Sequence, residues 1–223
     1  MTTIPLKALG EDAQEQFSFA HRLTHIPELP AGITSGTMAK AAWAFTLAQH
    51  TGERDIVIAQ AVNGHHGATV HAAGLCLNTL PVRVLLANLA TGQDLLNCVH
   101  QQHLQSLPFD GVEYADILKK CAPWRAHQPG FSVVIHQNYS LEKPLQLDGV
   151  QCPLRNWTVD VPRPTVGIIT TPGPARQWDL RLATSTGTLD QSEADSLLRQ
   201  LERVLVQLAS APLTSLSHFF PPS

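Results

Sequence analysis

A chain of 223 residues, 43% of them hydrophobic and with a formal charge of −3, can bury a full core without disulfide or metal staples. Its basic residues form no dense stripe, which argues against nucleic-acid binding, and no apolar run approaches the roughly 20 residues of a membrane helix. Charged residues make up only 15% of the chain, against roughly 25% in typical domains, so part of the surface is expected to face a partner, another domain or a large apolar cleft.

Residues 1–16 (MTTIPLKALGEDAQEQ) are polar and weakly periodic and read as a mobile arm without the apolar segment of a secretory signal. ELPAGIT (28–34) reads as a loop, with Thr34 or Ser35 capping the helix that follows. That helix, SGTMAKAAWAFTLAQHTG, carries Met38, Ala41, Ala42, Phe45 and Ala48 on one side and Trp43 and Leu47 on another. Being apolar nearly all round, it should be buried, and Gly52 should end it. RDIVIAQAV (54–62) and NTLPVRVLL (78–86) are β-branched runs that read as strands, with the residues between them as a connection. TGQDLLNCVHQQHLQSL (91–107) reads as a second helix with Leu96, Val99, His103 and Leu107 at helical spacing, and a short helix is expected over 112–121.

The period then changes. GFSVVIHQNY (130–139), RNWTVDV (155–161), TVGIITT (165–171) and WDLRLATST (178–186) read as strands, punctuated by Pro162, Pro164, Pro172 and Pro174. The last helix starts at Asp190, with Glu193 in a capping-box position, and turns Ala194, Leu197, Leu198, Leu201, Leu205 and Leu208 inward. The expected fold class is α/β (α+β), a single mixed sheet with three or four helices packed on it.

Catalytic signatures are sparse. GITSG (32–36) has its serine one place too late for a GxSxG elbow, no phosphate-binding glycine loop or HExxH is present, and the carboxylates are scattered. NGHHGATVHAAG (63–74) sets His65 beside His66 with His71 further on, and His100 and His103 stand one helical turn apart. Neither set comes with further ligands, so no metal site is expected. Cys76, Cys98, Cys121 and Cys152 are spread without a CxxC pair, the pattern of free thiols in an intracellular, cytoplasmic protein. Cys76 has no neighbouring cation to activate it as a nucleophile. Two segments carry more. CLNTLPVRV (76–84) holds a proline inside a β-branched run, which demands an edge, a bulge or a backbone crossing. VVIHQNY (133–139) ends a strand in His136, Gln137 and Asn138, polar groups that are either satisfied by neighbouring backbone or face a cleft.

In order and context these segments resemble the condensation domains of nonribosomal peptide synthetases, especially the fungal type. GERDIVIAQAVNGHHG is like the family's stretch ending in V-x-G-R-N, and GLCLNTLPVRV is like its G-x-x-x-N-T-x-P-x-R strand. HQQHLQSLPFDGVEYADIL is similar to the helix ending in a Pro-aromatic-acid turn, and FSVVIHQNY to the strand ending in H-Q-N. LRLATSTGTLDQSEADSLLRQLERVLVQLAS is similar to the closing strand and helix. The likeness runs over residues 17–218, leaving 219–223 as a tail.

The resemblance implies a single chloramphenicol-acetyltransferase-like lobe. A complete condensation domain pairs two such lobes around a tunnel where carrier-protein-tethered substrates meet, and its HHxxxDG motif lies in the first. This chain is similar to the second lobe, so the HHxxxDG lobe is expected to be missing. By order, His65 and His66 fall where the family has Arg-Asn, and Val70 stands where the motif would need its aspartate. The resemblance carries Asn138 onto the family's cleft-facing asparagine, with His136 beside it as a second catalytic candidate. It puts Asn78, Thr79, Pro81 and Arg83 in a segment crossing toward the other lobe as the tunnel floor, with Arg83 expected as a structural ion-pair partner. Gln137, Trp178 and Asp179 complete the candidate substrate-binding set.

The function so implied is the acceptor side of an acyl- or peptidyl-transfer or cyclisation cleft, acting on a carrier-protein-tethered or small-molecule intermediate without a cofactor. The base would come from a second copy in a homodimer or from a separate N-terminal-lobe partner. Two alternatives stand beside it: a stand-alone cyclase-type enzyme working by positioning, and a non-catalytic scaffold that docks carrier domains.

Overall fold

The computed structural model describes residues 17–63, 77–120, 132–137, 145–152, 166–185 and 187–216. In chain order they form β1 (Phe17–His25), α1 (Ser35–Thr51), β2 (Asp55–Asn63), β3 (Leu77–Leu85), α2 (Gly92–Ser106), α3 (Tyr114–Lys120), β4 (Val133–His136), β5 (Leu145–Leu147), β6 (Val150–Cys152), β7 (Gly167–Pro172), β8 (Gln177–Ser185) and α4 (Gln191–Ser210). Six strands make one mixed sheet in the order β1–β8–β7–β4–β2–β3, and β5 pairs with β6 separately. The centre, β2–β4–β7, is parallel, while β3, β8 and β1 add antiparallel pairs at the flanks. A mixed α/β sheet layered with helices is the class the sequence predicts.

Helix ends follow local chemistry. The Thr34 side chain accepts from the Thr37 N–H, and Gly52, at φ 76°, takes the left-handed conformation that closes α1. Asp190 and Glu193 form the reciprocal capping box at the start of α4, and Thr91 and Asp94 do the same for α2. As expected, α1 is buried from Thr37 through Ala48, and the whole inward set of α4 is buried. α1 packs against α2, α4, β2 and β4. Its Trp43 indole N–H donates to Ser132 Oγ at 2.6 Å, and that hydroxyl donates on to the Val166 carbonyl.

Strand register assigns the faces. Arg22, Leu180, Thr170, His136, Gln60 and Asn78 are linked by pairing and by period-2 alternation, so they share one face. Arg22 meets Glu202 of α4, Gln60 meets Lys40 of α1, and Asn78 meets the turn after α2. Three helices therefore cover that face.

Several sequence expectations need correction. Leu107 does not continue the buried stripe of α2; the helix gives way to a 3-10 turn, Leu107–Phe109, with Pro108 inside it, and Leu107 is 47% exposed. Of the strand expected over 130–139 the described part is paired over Val133–His136, and the one expected over 155–161 lies outside the described residues. Two elements are not among those expected from the sequence: β1, and the β5–β6 hairpin, whose turn holds Asp148 and Gly149 at φ 49° and 79°. Among the described residues no helix is long and apolar enough to cross a membrane.

Candidate functional site

α1 runs into β2 by a short connection and packs back along it, so the first turn of α1 lies at the carboxyl end of β2. β4 is parallel to β2 and ends on the same side. Strand carboxyl ends and a helix amino end thus converge, a common site for ligands in α/β sheets. A cleft of about 420 Å³ opens there, walled by Thr34, which caps α1, by Ser35, Thr37 and Lys40 of α1, Gln60 of β2, His136 of β4, His103 of α2 and Asp110 just after the 3-10 turn.

His136 has a defined seat. Its Nε2 lies 2.9 Å from Ser35 Oγ and its Nδ1 lies 2.8 Å from Thr170 Oγ1. Trp178, only 4% exposed, backs the imidazole with ring centroids 5.8 Å apart. A Cβ at Gly36 would come to 3.3 Å of His136 Cδ2, so glycine lets the ring lie close across the helix start.

The cleft floor is charged. Lys40, 6% exposed, donates to Gln60 Oε1 at 2.8 Å. Burial pushes its ammonium down to about 8, and the Asp110 carboxylate opposes that shift. Burial and then the Lys40 charge also hold the His103 imidazole below its ordinary value. His100 Nδ1 stands 3.5 Å from Thr37 Oγ1. Asp110 is positioned from the sheet edge: Asn78 Nδ2 donates to the Asp110 and Val112 carbonyls at 2.8 and 2.7 Å. Asn78 thus reaches the cleft through Asp110's backbone.

The other expected residues divide. Asn138, His65, His66, His71 and Val70 lie outside the described residues. Gln137 follows the end of β4 and donates its N–H to the Thr170 carbonyl at 2.9 Å. Trp178 supports His136 from within the core. Asp179 is one residue on, so its side chain is on the opposite face, held by Arg181 and by His21 at 2.8 Å, and is not part of this cleft. Asn78, Thr79, Pro81 and Arg83 all lie in β3, which pairs with β2 over Leu77–Leu85 as the sheet's edge strand. Of the three options Pro81 allowed, the strand order among the described residues takes the edge. Arg83 is at the far end of β3 from the cleft, in a two-contact pair with Asp55, whose carboxyl it holds below the usual range. That matches a structural ion-pair partner and removes Arg83 from this cleft.

Sequence reasoning missed Ser35, Lys40, Gln60, Asp110 and Thr170. Two of them left a trace: a lysine inside the apolar MAKAAWAF and a glutamine inside IVIAQAV are polar groups at positions that must be buried. Among the described residues no cluster of three or more His, Cys, Asp or Glu could hold a metal, and Cys98 and Cys152 are free thiols.

Residues 14–220 match the condensation domain family. The nonribosomal peptide synthetase fmqA of Aspergillus fumigatus is 34% identical over 96% of this chain, which covers 6% of that protein. Malformin synthetase mlfA of Aspergillus sclerotiicarbonarius is 32% identical over 91% of this chain and 4% of its own length. Among solved structures, the crystal structure of CT superposes with a TM-score of 0.76 and 27% identity over 95% of this chain and 49% of that one. The starter condensation domain of rhizomide synthetase RzmA shares the fold, with a TM-score of 0.69 and 19% identity over 90% of this chain and 48% of its own. The chain thus spans a few percent of these synthetases and about half of these structurally similar chains. With the family match over nearly its whole length, the chain belongs to the condensation domain family.

Proposed function

We propose that residues 17–218 form the acceptor-side lobe of an acyl- or peptidyl-transfer cleft, with 1–16 and 219–223 as flanks. A second lobe carrying the HHxxxDG base completes it, whether from a partner, a second copy or another part of a longer polypeptide. The observation that carries this reading is the cleft itself: an open, polar-floored pocket at the strand carboxyl ends, in a chain that covers 49% of the CT structure. On this reading a carrier-protein-tethered intermediate enters the cleft, His136 and Asn138 contact its reacting end, and Asn78 keeps Asp110 in place. Lys40 and Gln60 give the floor a polar group that orients the acceptor.

The test is binding of a carrier protein loaded with a non-hydrolysable aminoacyl pantetheine amide, followed by calorimetry. His136→Ala and Lys40→Met should each weaken binding about tenfold, the loss of one buried polar contact. Arg83→Ala, remote from the cleft, should leave it unchanged. Absence of binding, or equal affinity in the His136→Ala chain, overturns the reading.

A further inference from the structure

The transfer reading leaves Ser35 without a task. Its hydroxyl is 2.9 Å from His136 Nε2, and the other ring nitrogen of His136 is 2.8 Å from Thr170 Oγ1. A hydroxyl, an imidazole and a polar group on the far ring nitrogen are the parts of an activated nucleophile. With Thr170 Oγ1 accepting from Nδ1–H, Nε2 keeps its lone pair toward Ser35, the tautomer that takes a proton. Thr170 is fully buried in β7 and Trp178 backs the ring, so the base is held from two sides. Ser35 is the first residue of α1 and lines the cleft. The Ser35 and Gly36 N–H groups precede any intrahelical acceptor, so they are oriented donors beside the hydroxyl.

We propose that Ser35 and His136 are a nucleophile–base pair that hydrolyses activated acyl esters or thioesters in this cleft through an acyl-serine. This activity is separate from transfer between carriers and needs no second lobe. In the first step His136 Nε2 takes the Ser35 Oγ proton as Oγ bonds to the acyl carbon. The carbon–sulfur bond breaks, and the departing thiol takes that proton from Nε2. In the second step a water gives a proton to Nε2 while its oxygen bonds to the acyl carbon. The bond to Oγ breaks, Oγ recovers the proton, and a carboxylic acid leaves. Thr170 is a positioning residue; its neutral hydroxyl steadies the imidazolium less than a carboxylate does, so turnover is slow.

The test uses the purified full chain, an N-acetylcysteamine thioester of a short aliphatic acid, and chromogenic detection of released thiol. The wild-type chain should release thiol above a buffer blank, and Ser35→Ala and His136→Gln should each lose about 10²–10⁴-fold, the usual worth of such a base. A fluorophosphonate should add once, at Ser35, by intact mass and peptide mapping. Thr170→Val should lower kcat with KM unchanged, a split that general loosening of the fold would not produce. Ser35→Ala leaves the Thr34 cap in place, so its circular dichroism should equal wild type; Ser35→Cys, the conservative exchange, should become alkylated faster than Cys98 and only while His136 is present. No release above the blank, equal release by Ser35→Ala, or labelling at another residue overturns the proposal.

Discussion

Replacing Lys40 and Gln60 together, as Lys40→Met with Gln60→Leu, should make the protein more stable at neutral pH. Lys40 is a nearly buried ammonium whose pKa falls from 10.5 to about 8, mostly through loss of water. At 1.36 kcal/mol per pH unit, that drop is about 3 kcal/mol of preference for the neutral amine in the folded chain. Since the folded value lies below the unfolded one, the unfolded chain binds more protons between about pH 8 and 10.5, and stability must rise across that window. Below about pH 8 both states are protonated and the folded state bears the full cost; above 10.5 the cost is gone. Lys40→Met alone would leave Gln60 Oε1 without its donor, a loss of about 1–3 kcal/mol that hides the gain. The double exchange removes both partners, so at pH 7 it should be more stable than wild type by about 1–3 kcal/mol.

Urea denaturation of both proteins at steps from pH 7 to 9.5 reads this directly. The gap should narrow by about 2 kcal/mol between pH 8 and 9.5, because only the wild type has a proton to shed there. Asp110 and His103 also face Lys40, and the His103 imidazole should titrate at higher pH once the Lys40 charge is gone. A gap that stays constant with pH, or a double variant less stable than wild type at pH 7, would refute the reasoning.

Three further outcomes follow from packing and pairing. Asn78→Ala removes two hydrogen bonds to the Asp110 and Val112 carbonyls, and urea melts should show a loss of about 1–3 kcal/mol together with faster amide exchange over the turn that carries Asp110. Gly92→Ala would set a Cβ 2.8 Å from Leu208 Cδ2 and 2.9 Å from the Pro212 carbonyl oxygen, so overpacking should cost about 1–3 kcal/mol and lower Tm. Arg83→Ala removes only a pair whose side chains are 59% and 50% exposed, so the urea midpoint should stay at the wild-type value in high salt and move little in low salt.

The elements with strong local signals were legible in the sequence. Ser35–Thr51 announced itself by a threonine cap, unbroken apolarity and a terminal glycine, and Gln191–Ser210 by its capping box and apolar stripe. The short edge pieces were harder. Phe17–His25 alternates, yet its hydrogen bonds go to residues 177–185, a partner no local window contains. The Asp148–Gly149 turn is an ordinary hairpin signal between strands of only three residues each. The site was legible in one residue, His136, because polar groups closing an apolar strand stand out. Ser35, Thr170, Lys40 and Asp110 meet only through the sheet and helix packing, and GITSG, which fails as an elbow, gives Ser35 no local signal. The structure gives that serine its imidazole from 101 positions away.

The pairing of β1 with β8 also constrains how the protein is made. Phe17 is opposite Ser185, and the Arg22–Glu202 hydrogen bond at 2.7 Å joins residues 180 apart. During synthesis β1 leaves the ribosome first and then waits, its edge unsatisfied, until nearly the whole of this stretch has followed. Contacts so distant in sequence slow folding, because the intervening chain must be ordered before they form. β7 has the same problem in miniature, since without β8 it too is an open edge. Nascent chains stopped before residue 185 should therefore be bound by chaperones or aggregate, and those extending past α4 should escape both.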